Sequence, residues 1–86
     1  MSAQEPIAQL TRPMFTFTVY HNRIEVLETG ALLLKKSTSV LLRNVSGVEM
    51  NRVKTKLTVK TNDGKKYEWT LAPKTEELYN AILGAL

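Results

Sequence analysis

Cysteine is absent from this 86-residue chain, which excludes disulfides, thiolate nucleophiles and cysteine-based zinc sites and leaves the redox compartment open. Histidine occurs once, as His21. A single imidazole with no thiol beside it is a poor start for acid–base or nucleophilic catalysis. Ser37, Ser39 and Ser46 lie outside any GxSxG context. The four glycines, at positions 30, 47, 64 and 84, are too dispersed to cradle a phosphate. The eight acidic residues are scattered singly except for Glu76 and Glu77, so no ligand set for a metal ion stands out. Apolar runs such as Ala31–Leu34 fall far short of the roughly 20 residues that cross a bilayer. The opening MSAQEPIAQLTRP has no basic start followed by an apolar stretch, so no signal peptide is expected. These absences lead to a non-enzymatic, soluble, cytoplasmic protein as the expectation, with no catalytic residue, cofactor, metal or small-molecule substrate.

What is present is alternation. The 43% hydrophobic and 23% charged content is that of a folded domain rather than a disordered chain, and the length suits one domain with a marginal core. The segment Thr61-Asn62-Asp63-Gly64-Lys65 separates KLTVK from KYEWTL. Asn, Asp and Gly tolerate the positive φ that a tight hairpin needs. Leu57 and Val59 alternate with polar residues before the turn, and Tyr67, Trp69 and Leu71 after it. Upstream, Phe15, Phe17 and Val19 share one strand face, and His21-Asn22 makes a two-residue turn into RIEVLE. Leu32–Leu42 reads as one long bent strand or as two strands joined by a bulge, and Gly47 within VSGVEM suggests a bulge or close backbone approach. Six strands follow, with a seventh near Ile7–Leu10 or from division of the third. Residues 1–13, with Pro6 and Pro13 and no sustained period, are set aside as a flexible leader before a domain at 14–86.

The period then changes. Thr75 serves as a helix N-cap, Glu76 and Glu77 suit the positive end of the helix dipole, and Leu78, Ile82 and Leu86 recur every fourth residue. A helix over Thr75–Leu86 closes the open end of the sheet with this apolar stripe.

Charge is concentrated. Arg52, Lys54, Lys56, Lys60, Lys65 and Lys66 oppose only Asp63 between positions 51 and 66, so this segment holds +5 of a chain whose net charge is +4. With Lys54–Lys60 extended, Lys54, Lys56 and Lys60 share an outer face while Leu57 and Val59 point inward.

The order of elements in FTFTVYHNRIEV, STSVLLRNVSGVEM, KLTVKTNDGKKYEWTL and TEELYNAILGAL resembles the pleckstrin-homology (PH) superfold, and within it the small bacterial PH-like domains. The resemblance covers roughly residues 14–86. It implies an antiparallel β-barrel or sandwich of six or seven strands capped by a helix. The eukaryotic PH helix usually carries a tryptophan, whereas here Tyr79 is the only aromatic of the helix and Trp69 lies in a strand. Phosphoinositide binding would need basic residues in the first hairpin loop, which reads here as His21, Asn22 and Arg23, a poor match.

The function expected from these residues is a non-catalytic interaction module acting through protein contacts, including self-association into a homo-oligomer. Leu32, Leu33 and Leu34, apolar on both faces of a strand, are its expected surface. The alternative is a peripheral adaptor on anionic membrane, using Arg52, Lys54, Lys56, Lys60, Lys65 and Lys66. Nucleic acid is disfavoured, because Tyr67 and Trp69 share the face of Leu71 and belong to the core.

Overall fold

The computed structural model describes residues 5–30, 32 and 34–86. The fold is mainly β: two antiparallel sheets and one C-terminal helix. Strands β1 (Ala8–Arg12), β2 (Phe15–Val19), β3 (Arg23–Thr29) and β4 (Lys35–Leu41) form a four-stranded sheet in chain order. A 3₁₀ turn, Leu42–Asn44, leads to β5 (Val45–Met50), β6 (Lys56–Thr61) and β7 (Lys66–Thr70), a three-stranded sheet also in chain order. Helix α1 spans Thr75–Ala85. The two ladders are not joined by hydrogen bonds into one closed barrel.

Side-chain parity places the core between the sheets. Leu10 pairs with Phe17 and Phe17 with Val26; Val19 pairs with Ile24 and Ile24 with Val40. In the other sheet Val48, Val59 and Tyr67 form one row and Met50, Leu57 and Trp69 the next. Phe17, Val19, Ile24, Leu57, Val59 and Leu71 are fully buried. The Trp69 ring meets Phe17 edge-on at 5.0 Å and stacks on Tyr67 at 5.7 Å; Trp69 belongs to the core, and Tyr67 packs half-buried against it. Leu78 and Ile82 add the helix stripe to the same core.

The hairpin at Asn62–Gly64 forms as expected, with Gly64 at φ +87° and the Thr61 N–H bonded to the Lys65 carbonyl. Register also slips between Val45 and Gly47, the bulge that Gly47 suggested.

Three expectations are corrected. The leader does not run to residue 13: β1 pairs along β2 from Ala8–Val19 to Arg12–Phe15, and this is the seventh strand. FTFTVYHNRIEV is consequently the second hairpin; the first turns at Pro13–Met14, with Met14 at φ +65°. Leu32 is not in a strand. Its φ is +61° and the Gly30 N–H bonds to the Leu34 carbonyl, so the chain reverses here and β4 begins only at Lys35. Thr75 does not cap α1 with its side chain. Lys74 occupies the N-cap, and the Thr75 hydroxyl lies buried in the core without a hydrogen-bond partner among the described residues.

Candidate interaction surfaces

Two hairpin turns bring three of the four most exposed large apolar side chains of the described residues to one end of the four-stranded sheet; the fourth, Val53, lies in the β5–β6 turn. The Thr29 N–H bonds to the Met14 carbonyl at 2.9 Å, so the β1–β2 turn lies against the start of the β3–β4 connection. From these turns Met14 is 62% exposed, Leu32 91% and Leu34 70%. Leu33 lies outside the described residues. Lys35 and Lys36 follow directly and form no ion pair among the described residues. Leu32 and Leu34, expected on a strand, thus stand in the β3–β4 connection, where neither sheet nor helix covers them. Met14 was missed at the sequence level because its neighbourhood was assigned to a leader. Pro13, favoured at the second position of a β-turn, was the available signal.

The basic residues are dispersed over two turns and two strands. Arg52 and Lys54 belong to the β5–β6 turn, and Lys54 adopts φ +58° rather than an extended backbone. Asn51 causes this: its side-chain oxygen accepts the N–H groups of Thr55 and Lys56, at 2.8 and 2.9 Å, and delays the strand. Lys56 and Lys60 do share the outer face of β6, opposite Thr70 and Lys66. Lys65 belongs to the β6–β7 hairpin.

Carboxylates stand beside most of these cations. Lys54 pairs with Glu76 at 2.9 Å, Lys60 with Glu49 at 2.8 Å, Lys66 with Glu68 at 3.7 Å and Lys65 with Asp63 at 4.0 Å. Register explains the outer face of the small sheet: Lys60 and Lys66 form one row, and Glu49, Thr58 and Glu68 the next. The hydrogen bond and charge of Lys60, helped by Lys66, hold the Glu49 carboxyl below its ordinary range. Asp63 is likewise lowered, first by the Thr61 hydroxyl that donates to it and then by the Lys65 N–H. Only Arg52 and Lys56 of the six stand without an ion pair among the described residues.

His21 sits in the β2–β3 turn, closed by the Tyr20 N–H on the Arg23 carbonyl at 2.8 Å. With Arg43, Leu41, Val45, Ala85 and Leu86 it borders an open, largely apolar hollow of about 610 Å³. Among the described residues no group of three or more histidines and carboxylates is placed to hold a metal ion. No described helix is long and apolar enough to cross a membrane. No protein-family profile, curated protein or solved structure matches this chain.

Proposed function

We propose that this chain is a non-catalytic interaction module of PH-like organisation, acting through protein contacts that include its own association. The contact surface in this reading is the hairpin end that carries Met14, Leu32 and Leu34. Seven antiparallel strands followed by one terminal helix support that reading. The non-catalytic part rests on the sequence, with its one histidine and no cysteine.

The observation that carries the reading is the bare apolar end itself. Fully burying a leucine or methionine side chain contributes about 1.5–3 kcal/mol, and three such groups are presented together on adjoining turns. Exposed apolar side chains gathered at one end of a sheet mark a contact site more often than singly scattered ones do. The test is light scattering behind size exclusion at low and high salt. A defined oligomer that persists in high salt, and dissociates in the Met14→Ser/Leu34→Ser variant, is the expected result. A monomer at both salts overturns the self-association part.

The membrane alternative draws less support, because Lys54, Lys60, Lys65 and Lys66 each have a carboxylate within 4.0 Å. Vesicles containing phosphatidylserine provide its test. Salt-sensitive binding that disappears on reversing Lys54, Lys56 and Lys60 to Glu would restore it in place of the apolar end.

A further inference from the structure

The four sheet edges are treated unequally. Helix α1 packs on β1 and β5, the edge strands of one side, and on their neighbours β2 and β6. On the other side the edges of β4 and β7 face each other across a trough of about 660 Å³, and no strand of either sheet pairs with them there. A further hollow of about 200 Å³ extends it between Ser39–Leu41 and the β6–β7 hairpin.

Register determines which backbone groups face this trough. In an antiparallel ladder, residues alternate between pairs that exchange hydrogen bonds and pairs that do not, and the latter turn their N–H and C=O away from the neighbour. On β7 the bonded pairs can be counted from both ends. Thr61 bonds to Lys65, and Leu71 to Thr55, which makes Tyr67 and Trp69 the residues bonded to β6 and leaves Lys66, Glu68 and Thr70 facing outward. On β4, Gly30 bonds to Leu34 and Leu42 to Asn22. Lys36, Thr38 and Val40 therefore face β3, and Lys35, Ser37, Ser39 and Leu41 face the trough.

We propose that this seam is a strand-acceptor site for one extended peptide segment of a partner protein. Two facing rows of outward backbone donors and acceptors are complementary to a chain with both edges free. A strand already in a folded sheet offers only one free edge and brings the rest of its sheet against the opposite wall. The occupant is therefore a lone segment rather than an edge of a second copy. Phe15, Tyr67 and Trp69 line the floor of the trough, with Phe15 and Tyr67 half-buried. Alternate apolar side chains of the segment would settle there, while its other side chains point to solvent. Lysines at Lys35, Lys36 and Lys66 flank the seam and discourage indiscriminate edge pairing, whereas Ser37, Thr38 and Ser39 leave the middle of β4 low and uncharged. This site is separate from the apolar hairpin end and does not depend on its function.

The probe is a library of random linear peptides displayed on phage, selected on the intact chain. Selected peptides should alternate apolar and polar residues and should bind the Ser37→Pro and Glu68→Pro variants at least tenfold more weakly. Both substitutions remove an outward N–H and leave the ladders to β3 and β6 intact. Amide exchange of the unmodified protein provides a second readout that needs no variant. The amides of Ser37, Ser39, Lys66, Glu68 and Thr70 should exchange quickly in the free protein and slow at least tenfold on adding a selected synthetic peptide. Failure to select any peptide overturns the proposal. So does binding that leaves those amides unprotected, or their protection in a free protein that scatters as a dimer, which would place a second copy in the seam.

Discussion

The two sides of this small sandwich pose the same physical problem and resolve it differently. On the β1–β5 side, helix α1 lays Leu78 and Ile82 across the gap and both become fully buried. On the β4–β7 side the gap keeps polar walls and free backbone. A chain of this size has little apolar area to spare, and one helix stripe covers one seam. The side with the apolar cover is therefore where stability is concentrated, and the uncovered side is free to bind.

The sharpest way to break that comparison is to weaken the cover. Leu78→Ala removes a fully buried side chain at the helix–sheet contact and is expected to cost about 2–5 kcal/mol. That is a large part of the roughly 5–15 kcal/mol available to a domain. Urea denaturation followed by Trp69 fluorescence measures it. A loss below about 1 kcal/mol would mean that the helix adds little to the fold and that the two sides do not differ as argued.

A second test contrasts neighbours on β7. Tyr67→Pro deletes an N–H that bonds to β6 and is expected to cost about 1–3 kcal/mol, whereas Glu68→Pro deletes one that faces the open seam. Measured against Tyr67→Ala and Glu68→Ala to remove the side-chain contribution, the Glu68 proline effect should stay below about 1 kcal/mol. Equal costs at the two positions would show that the β7 edge is occupied.

Much of this architecture is legible in the residues because its signals are local. Asn62-Asp63-Gly64 needs only its own backbone preferences to turn, and the parity of Leu57, Val59, Tyr67 and Trp69 follows from strand geometry. The strand reading fails at Leu32 and Leu34 because apolar composition does not report backbone path, and here the Gly30 N–H turns back to the Leu34 carbonyl. Lys54 was misread for a related reason, since the Asn51 side chain captures two N–H groups that an extended strand would have used. The partners of the lysines were hidden too: Glu49 reaches Lys60, and Glu76 reaches Lys54, only through register and helix docking. The open seam is a property of sheet order, which no short motif encodes.

Thr75 sharpens the comparison from within the covered side. A hydroxyl buried without a partner costs about 1–3 kcal/mol relative to a satisfied one, and Thr75 Oγ1 is in that state at the first turn of α1. Thr75→Val keeps the shape and removes the polar atom. The variant is expected to be more stable by about 1 kcal/mol, read as a higher denaturation midpoint with unchanged slope. A loss of stability instead would show that the hydroxyl has a partner in solution and that the start of the helix is not purely an apolar plug.

The smallest expected effect belongs to the outer face and hairpin of the three-stranded sheet, where Glu49 and Asp63 have carboxyls held below their ordinary values of 4.5 and 3.8. A carboxyl with a lowered folded pKa binds its proton less readily in the native chain than in the unfolded one. Its stabilising contribution is present above the unfolded value and is lost as pH falls through the folded one. Stability should therefore decline as pH falls through about 4.5, where Glu49 in the unfolded chain is half protonated. The Glu49→Gln/Asp63→Asn variant should show a shallower decline, read as the difference between two series of urea midpoints. Solvent screening at these exposed positions keeps that difference small, and added salt should shrink the part due to Lys60 and Lys66 while sparing the Thr61 hydrogen bond to Asp63. Identical acid profiles for the two proteins would mean that the carboxylates beside the lysines do not hold them in solution. The cations of the small sheet would then be free after all, and the membrane reading would regain the surface that the ion pairs take from it.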